Sequence, residues 1–199
     1  MRIGLLGGSF NPAHEGHRHV AEQVRRHLRL DQVWLLVSPG NPLKPANGMA
    51  SHGSRLASAS AIADGRRIVA TGIETRLGTR YTFDTLRALK RRFPRARFVL
   101  IAGADLLAQL PRWKRWAGVM ASLPLAVLPR PGYTYRALAS RAAHRFAVER
   151  LPARAAPLLA RAKPPAWLFL PVSQHAASAT AIRNANTGEV PRLETCHRP

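Results

Sequence analysis

Short apolar runs alternate with stretches in which apolar residues recur every three or four positions, and that alternation predicts the fold. Ile3, Leu5 and Leu6 mark the first run, read as a buried strand over residues 1–6, with Gly7 and Gly8 expected to turn the chain sharply after it. Val20, Val24 and Leu28 then recur at helical spacing. Residues 33–37 are apolar throughout, as in a parallel sheet covered on both faces, and close at Ser38-Pro39-Gly40. Further strands are expected at 68–71, 98–102, 125–128 and 167–170. Residues 41–54, rich in Pro, Gly, Asn and Ser, read as a long polar loop, and 55–63 as a short helix. A helix capped by Thr82 is expected to bury Phe83, Leu86, Leu89 and Phe93. Residues 135–161, rich in alanine and arginine, read as helical but broken at Pro152 and Pro157. This order of strands and helices predicts an α/β fold, a doubly wound parallel sheet of the Rossmann type, with all 199 residues in one domain.

Composition adds three constraints. A hydrophobic content of 46% is ordinary for a globular chain, and no apolar run approaches the roughly 18–20 residues of a membrane span. The N-terminus enters a strand with no signal-peptide pattern, so a cytoplasmic location away from membranes is expected. Cys196, the single cysteine, has no internal disulfide partner and sits in a polar tail unsuited to a nucleophile. Against 10 acidic residues stand 31 Lys and Arg, a formal charge of +21. Either a nucleic-acid surface or anionic substrates would suit such a balance. The cations are dispersed, and no helix-turn-helix or RNA-recognition signature accompanies them, so no specific nucleic-acid partner is expected. Subunit number is left open.

Candidate chemistry concentrates in Gly7-Gly8-Ser9-Phe10-Asn11-Pro12-Ala13-His14-Glu15-Gly16-His17, where strand, glycine turn and helix meet. Backbone N–H groups and the positive end of a helix dipole suit an anion there. His14 and His17, three residues apart, are expected to project to one side of the first helical turn, with Gly16 leaving room for a phosphoryl group. A helix cap with a solvated surface histidine is the bland alternative. A metal pair is weakened by the lack of an HExxH pattern and of an obvious third ligand. A dinucleotide oxidoreductase is disfavoured because the turn lacks G-x-G-x-x-G. In an open α/β sheet, Lys44, Asp105 and the Arg130-Pro131-Gly132 turn would emerge at the same carboxyl edge as this string.

The string resembles the GxFDPxHxGH signature of the nucleotidyltransferase superfamily, with Asn11 where Asp is commoner. Further segments, in order, resemble the bacterial nicotinate-nucleotide adenylyltransferases: Asn41-Pro42-Leu43-Lys44, the run from Tyr81 to Leu86, Gly103-Ala104-Asp105 with Trp113, Arg130-Pro131-Gly132-Tyr133, and Ser178-Ala179-Thr180-Ala181-Ile182-Arg183. The resemblance implies adenylyl transfer from ATP to nicotinate mononucleotide, with Mg²⁺ accompanying ATP and no protein-made metal site. It implies His14 and His17 as catalytic hydrogen-bond donors and Gly8, Ser9, Phe10, Lys44, Asp105, Ser178, Thr180 and Arg183 on the ATP side. Tyr81, Thr82 and Trp113 would take the pyridine acceptor, while Trp116 reads as packing. Other acceptors, nicotinamide mononucleotide or phosphopantetheine, remain same-fold alternatives, and a nucleic-acid-binding protein a different class. From about residue 187 the tail is short and polar, where the resemblance implies an apolar continuation; natural variation, truncation or a shifted frame each account for it.

Overall fold

The computed structural model describes residues 1–40 and 48–173. Lys44, Ser178, Thr180, Arg183, Cys196 and the polar tail therefore lie outside the described residues. Seven parallel strands form one sheet in the order β3-β2-β1-β4-β5-β7-β6, with β1 at Arg2–Gly8, β2 at Gln32–Val37, β3 at Ile68–Thr71, β4 at Arg97–Gly103, β5 at Leu125–Leu128, β6 at Arg150–Leu151 and β7 at Trp167–Phe169. Every pairing is parallel, and Leu5 lies between Trp34 and Leu100 in register. The chain winds from β1 toward β3 on one side and returns to β4 on the other. The switch in winding, where ligands collect in such sheets, falls between β1 and β4.

Period-two alternation divides the core into two layers. Ile3, Leu5, Phe98, Leu100 and Ala102 face one layer, closed by α4 (Thr82–Arg92), α5 (Ala104–Gln109), α6 (Trp116–Ser122), α7 (Thr134–Leu138) and α8 (Arg141–Arg145). Val33, Leu35, Val37, Val99 and Ile101 face the other, closed by α1 (Glu15–His27), α2 (His52–Ala61) and a 3-10 segment, Ala153–Arg161. A short helix, α3 (Ile73–Arg76), leads from β3 toward α4.

Four local expectations are corrected. Gly7 and Gly8 are not the turn: both sit in β1, paired with Leu36 and Val37, and the chain turns at Phe10, whose φ of 49° is left-handed. Helix α2 begins earlier than predicted because the Ser51 hydroxyl accepts from the Ser54 N–H, a cap the polar composition concealed. Thr82 is the first helical residue of α4, and Tyr81 stands at its N-cap with no side-chain cap bond. Residues 135–161 hold two five-residue helices, the added edge strand β6 and the 3-10 segment in place of one broken helix. Here alanine propensity yields to Pro152 at the segment's start and Pro157 within it.

Candidate active site

His14 and His17 open α1 as a reciprocal capping box. His14 is the N-cap in extended backbone, and its Nδ1 accepts from the Gly16 N–H at 3.2 Å. The His17 Nδ1 accepts from the His14 N–H, also at 3.2 Å. A neutral imidazole with Nδ1 accepting carries its proton on Nε2, so both rings present an Nε2–H donor. The rings lie side by side, centroids 3.9 Å apart. The expected common side for the two imidazoles is therefore observed, and the cap of the bland alternative is His14 itself. The helix-end amides play a smaller part than anticipated: the Gly16 N–H is spent on His14 Nδ1 and the His17 N–H on the His14 carbonyl at 2.8 Å.

Burial, reinforced by His14 and Arg130, pulls the His17 pKa down to about 4 from an ordinary 6.5, so this ring is neutral at physiological pH. Arg130, at the end of β5, reaches back to Asp105 at the start of α5, Nε to Oδ1 3.3 Å. Gly103 makes that contact possible, since a Cβ there would strike the Asp105 carboxylate and come within 3.2 Å of Arg130 Nε. Phe10, which the resemblance puts on the ATP side, is 2% exposed. Its ring lies against Gly8 and 5.0 Å from the His17 ring, forming a floor under the imidazole. Gly8 ends β1 with its carbonyl accepting from Ser38, and the Ser9 carbonyl accepts from Arg55.

Across the switch point, α4 begins without a side-chain cap at Tyr81. The Lys114 ammonium sits 4.4 Å over the Tyr81 ring and the Arg80 guanidinium 6.0 Å from it. Trp113, whose backbone N–H donates to the Leu110 carbonyl, packs half-buried on the adjoining core, and its chain neighbour Lys114 is what meets Tyr81. Trp116 packs edge-on against Phe146 at 5.9 Å, as its packing reading required. Behind Tyr81 the buried Thr85 hydroxyl lies within hydrogen-bond reach of Glu74 Oε1 and the Tyr81 carbonyl. Among the described residues no group of three His, Cys, Asp or Glu side chains could hold a metal ion, and no helix is long and apolar enough to cross a membrane.

Residues 5–185 match the cytidylyltransferase-like family. The chain is 60% identical over 185 residues to a "Probable nicotinate-nucleotide adenylyltransferase" of Gluconobacter oxydans, covering 93% of this chain and 95% of that one. The chain belongs to this family. A relative of the same name from Parvibaculum lavamentivorans is 54% identical, covering 92% and 91% of the two chains. In fold, the chain is similar to the Plasmodium falciparum nicotinic acid mononucleotide adenylyltransferase solved with NaAD, at a TM-score of 0.67 and 15% identity over 92% of this chain and 82% of that one.

Membership leaves unexplained which side chains build the site, and two were not read from the sequence as site residues. Arg130 appeared there only as part of a turn. Arg55 sits in a helix of mostly small residues with no local motif; its only signal was a guanidinium on a helix otherwise made of His52, Gly53 and a run of Ser, Ala and Leu.

Proposed function

We propose that this protein transfers the adenylyl group of ATP to nicotinate mononucleotide, giving deamido-NAD and pyrophosphate. The observation that carries the reading is the double-histidine capping box at the switch point, which fixes two neutral Nε2–H donors side by side. An acceptor 5′-phosphate oxygen forms a bond to the α-phosphorus while the bond from that phosphorus to the α,β-bridging oxygen breaks. Pyrophosphate carries away the electron pair. Two anions must be aligned and their charge neutralised as this happens, with no covalent enzyme intermediate. The Nε2–H groups of His14 and His17 donate to oxygens around the α-phosphorus, and Arg130 adds a cation. Asp105 steers that cation through their ion pair. Gly8 and Ser9 bring backbone close to the phosphates, and Lys44, Ser178, Thr180 and Arg183 supply the remaining phosphate contacts that the resemblance implies. Mg²⁺ enters as the counter-ion of ATP, as part of the substrate, and the ATP requirement sets the reaction in the cytoplasm.

For the acceptor, the uncapped start of α4 offers the amides near Thr82 to the nicotinate carboxylate, with Lys114 and Arg80 adding positive charge. Trp113 supplies a ring face to the pyridine. Pyrophosphate release measured with the acid and the amide mononucleotide tests this. Faster turnover of the acid is expected; equal or better turnover of the amide would remove the carboxylate-reading site.

A further inference from the structure

The turn that aims the two histidines is gripped from outside the sequence motif. Arg55, on α2, is 2% exposed, yet its guanidinium makes four hydrogen bonds, all to main-chain carbonyls. Nη1 donates to Ser9 at 2.8 Å and to Ser38 at 2.7 Å, Nη2 to Pro39 at 3.2 Å and Nε to Ala50 at 3.0 Å. Ion pairs among the described residues involve other groups, and burial alone pulls the Arg55 pKa down. A buried, unneutralised charge is costly, and a planar fork spanning four acceptors is what holds it there. Those acceptors lie where β1 leaves the sheet, where β2 leaves it, and just ahead of α2.

Two neighbours extend the grip over the same turn. The Ser58 hydroxyl, one turn along α2, accepts from the Ala13 N–H at 3.1 Å, immediately before His14. Asn11 donates from Nδ2 to the Gly48 carbonyl at 2.9 Å and accepts at Oδ1 from the Ala50 N–H at 3.1 Å. The turn at 9–13 is thus pinned at Ser9, Asn11 and Ala13 by α2 and its lead-in. Phe10, between those pins, holds a left-handed φ of 49° under the His17 ring. Backbone in that region needs its surroundings to hold it.

We infer that Arg55 is a positioning residue of the reaction: it touches no reacting atom, but from α2 it fixes the turn that aims His14 and His17 at the triphosphate. The inference rests on the adenylyl-transfer reading for what those histidines meet. Misplacing reacting groups by about 1 Å can cost about 100-fold in rate. Of the four acceptors, Ser9 belongs to the turn that the resemblance puts on the ATP side, and none belongs to the Tyr81, Thr82 and Trp113 set assigned to the acceptor, so the effect should fall first on ATP.

The test measures kcat and both KM values for the parent, Arg55→Lys and Asn11→Ala, with thermal melts fixing the folded fraction. Lysine keeps the charge but has no planar fork, and Asn11 is only half-buried, so both chains are expected to fold. The expected result is a loss of about 10- to 100-fold in kcat/KM for ATP in Arg55→Lys and a smaller loss in Asn11→Ala, with KM for the mononucleotide within about twofold of the parent. Unchanged KM for ATP with kcat following only the folded fraction, or both KM values rising alike, would overturn the inference. A parent that turns over no acceptor would instead sink the adenylyl-transfer reading. ATP titration of the same three proteins would then judge Arg55, and equal affinities would count against it.

Discussion

His14 performs two tasks that substitution can separate. Its Nδ1 caps α1, and in the adenylyl-transfer reading its Nε2–H is the donor to phosphate. Asparagine caps as well as any residue, whereas alanine costs about 1 kcal/mol at an N-cap. His14→Asn should therefore melt near the parent and lose about 100- to 1,000-fold in turnover, the usual cost of one transition-state donor, while His14→Ala loses stability as well. Equal melting of the two variants would remove the capping role. His17 gives a pH prediction. Its folded pKa of about 4 lies below the ordinary 6.5, so the unfolded chain binds the extra proton between those values and stability rises with pH across that window. The contribution is complete above pH 6.5 and lost as pH falls through 4. His17→Asn should flatten acid unfolding there, and a resonance that titrates near 6.5 in the parent and is missing from His17→Asn would refute the buried, neutral ring. Both histidines were legible in the sequence because their motif is local. Asp105 was legible too, but Arg55 and the contact of Arg130 with Asp105 were not, since each acts across distant segments that only the folded sheet brings together.

At the level of elements, α3 and α4 meet through a carboxyl group with little solvent. Burial raises the Glu74 pKa, partly offset by the Thr85 hydroxyl and by His52. A raised folded value means that folding favours the protonated acid. Its contribution is present below the ordinary 4.5 and is lost as pH rises through the folded value. Glutamine keeps an oxygen to accept from Thr85 and cannot ionise. Glu74→Gln should melt above the parent at pH 8, with the gap closing toward pH 4; a gap that widened on acidification would contradict the burial argument. The sequence revealed the central strands and α4 because unbroken apolar runs and a one-sided apolar stripe have few alternatives. It failed at residues 135–161, where alanines give helix propensity but few large apolar side chains to choose a face. Tertiary packing decided there: Trp167 is 1% exposed and donates from Nε1 to the Phe146 carbonyl, tying the end of α8 to the sheet.

Over the whole molecule, the charge of +21 acquires a direction. At the sheet edge opposite the histidines, α1 ends in Arg25, Arg26 and His27, and α4 in Lys90, Arg91 and Arg92. Arg2 and Arg97 are register partners between those helix ends, with Arg29 and Arg95 in the adjoining loops. Cations at helix C-termini complement the dipole, but Arg2, Arg95 and Arg97 lie outside any helix, so the dipole does not account for the whole ridge. Asp31, the acid that faces it, is already bound to Arg2 at 2.7 Å. Cations dominate the ridge, with Met1 exposed among them beside Arg2, so contact there would be mainly with phosphates. Weak, sequence-independent retention on duplex nucleic acid is therefore expected. If about four phosphates are met, log affinity should fall with log salt at a slope of about −4. A seven-residue strand spans roughly 20 Å, about two Debye lengths at physiological salt, so the ridge and the site should be electrostatically separate. Reversing Arg91, Arg92 and Arg95 to Glu should shallow that slope while leaving kcat/KM within about twofold. A fall in turnover as steep as the fall in retention would mean that the basic edge serves the reaction itself.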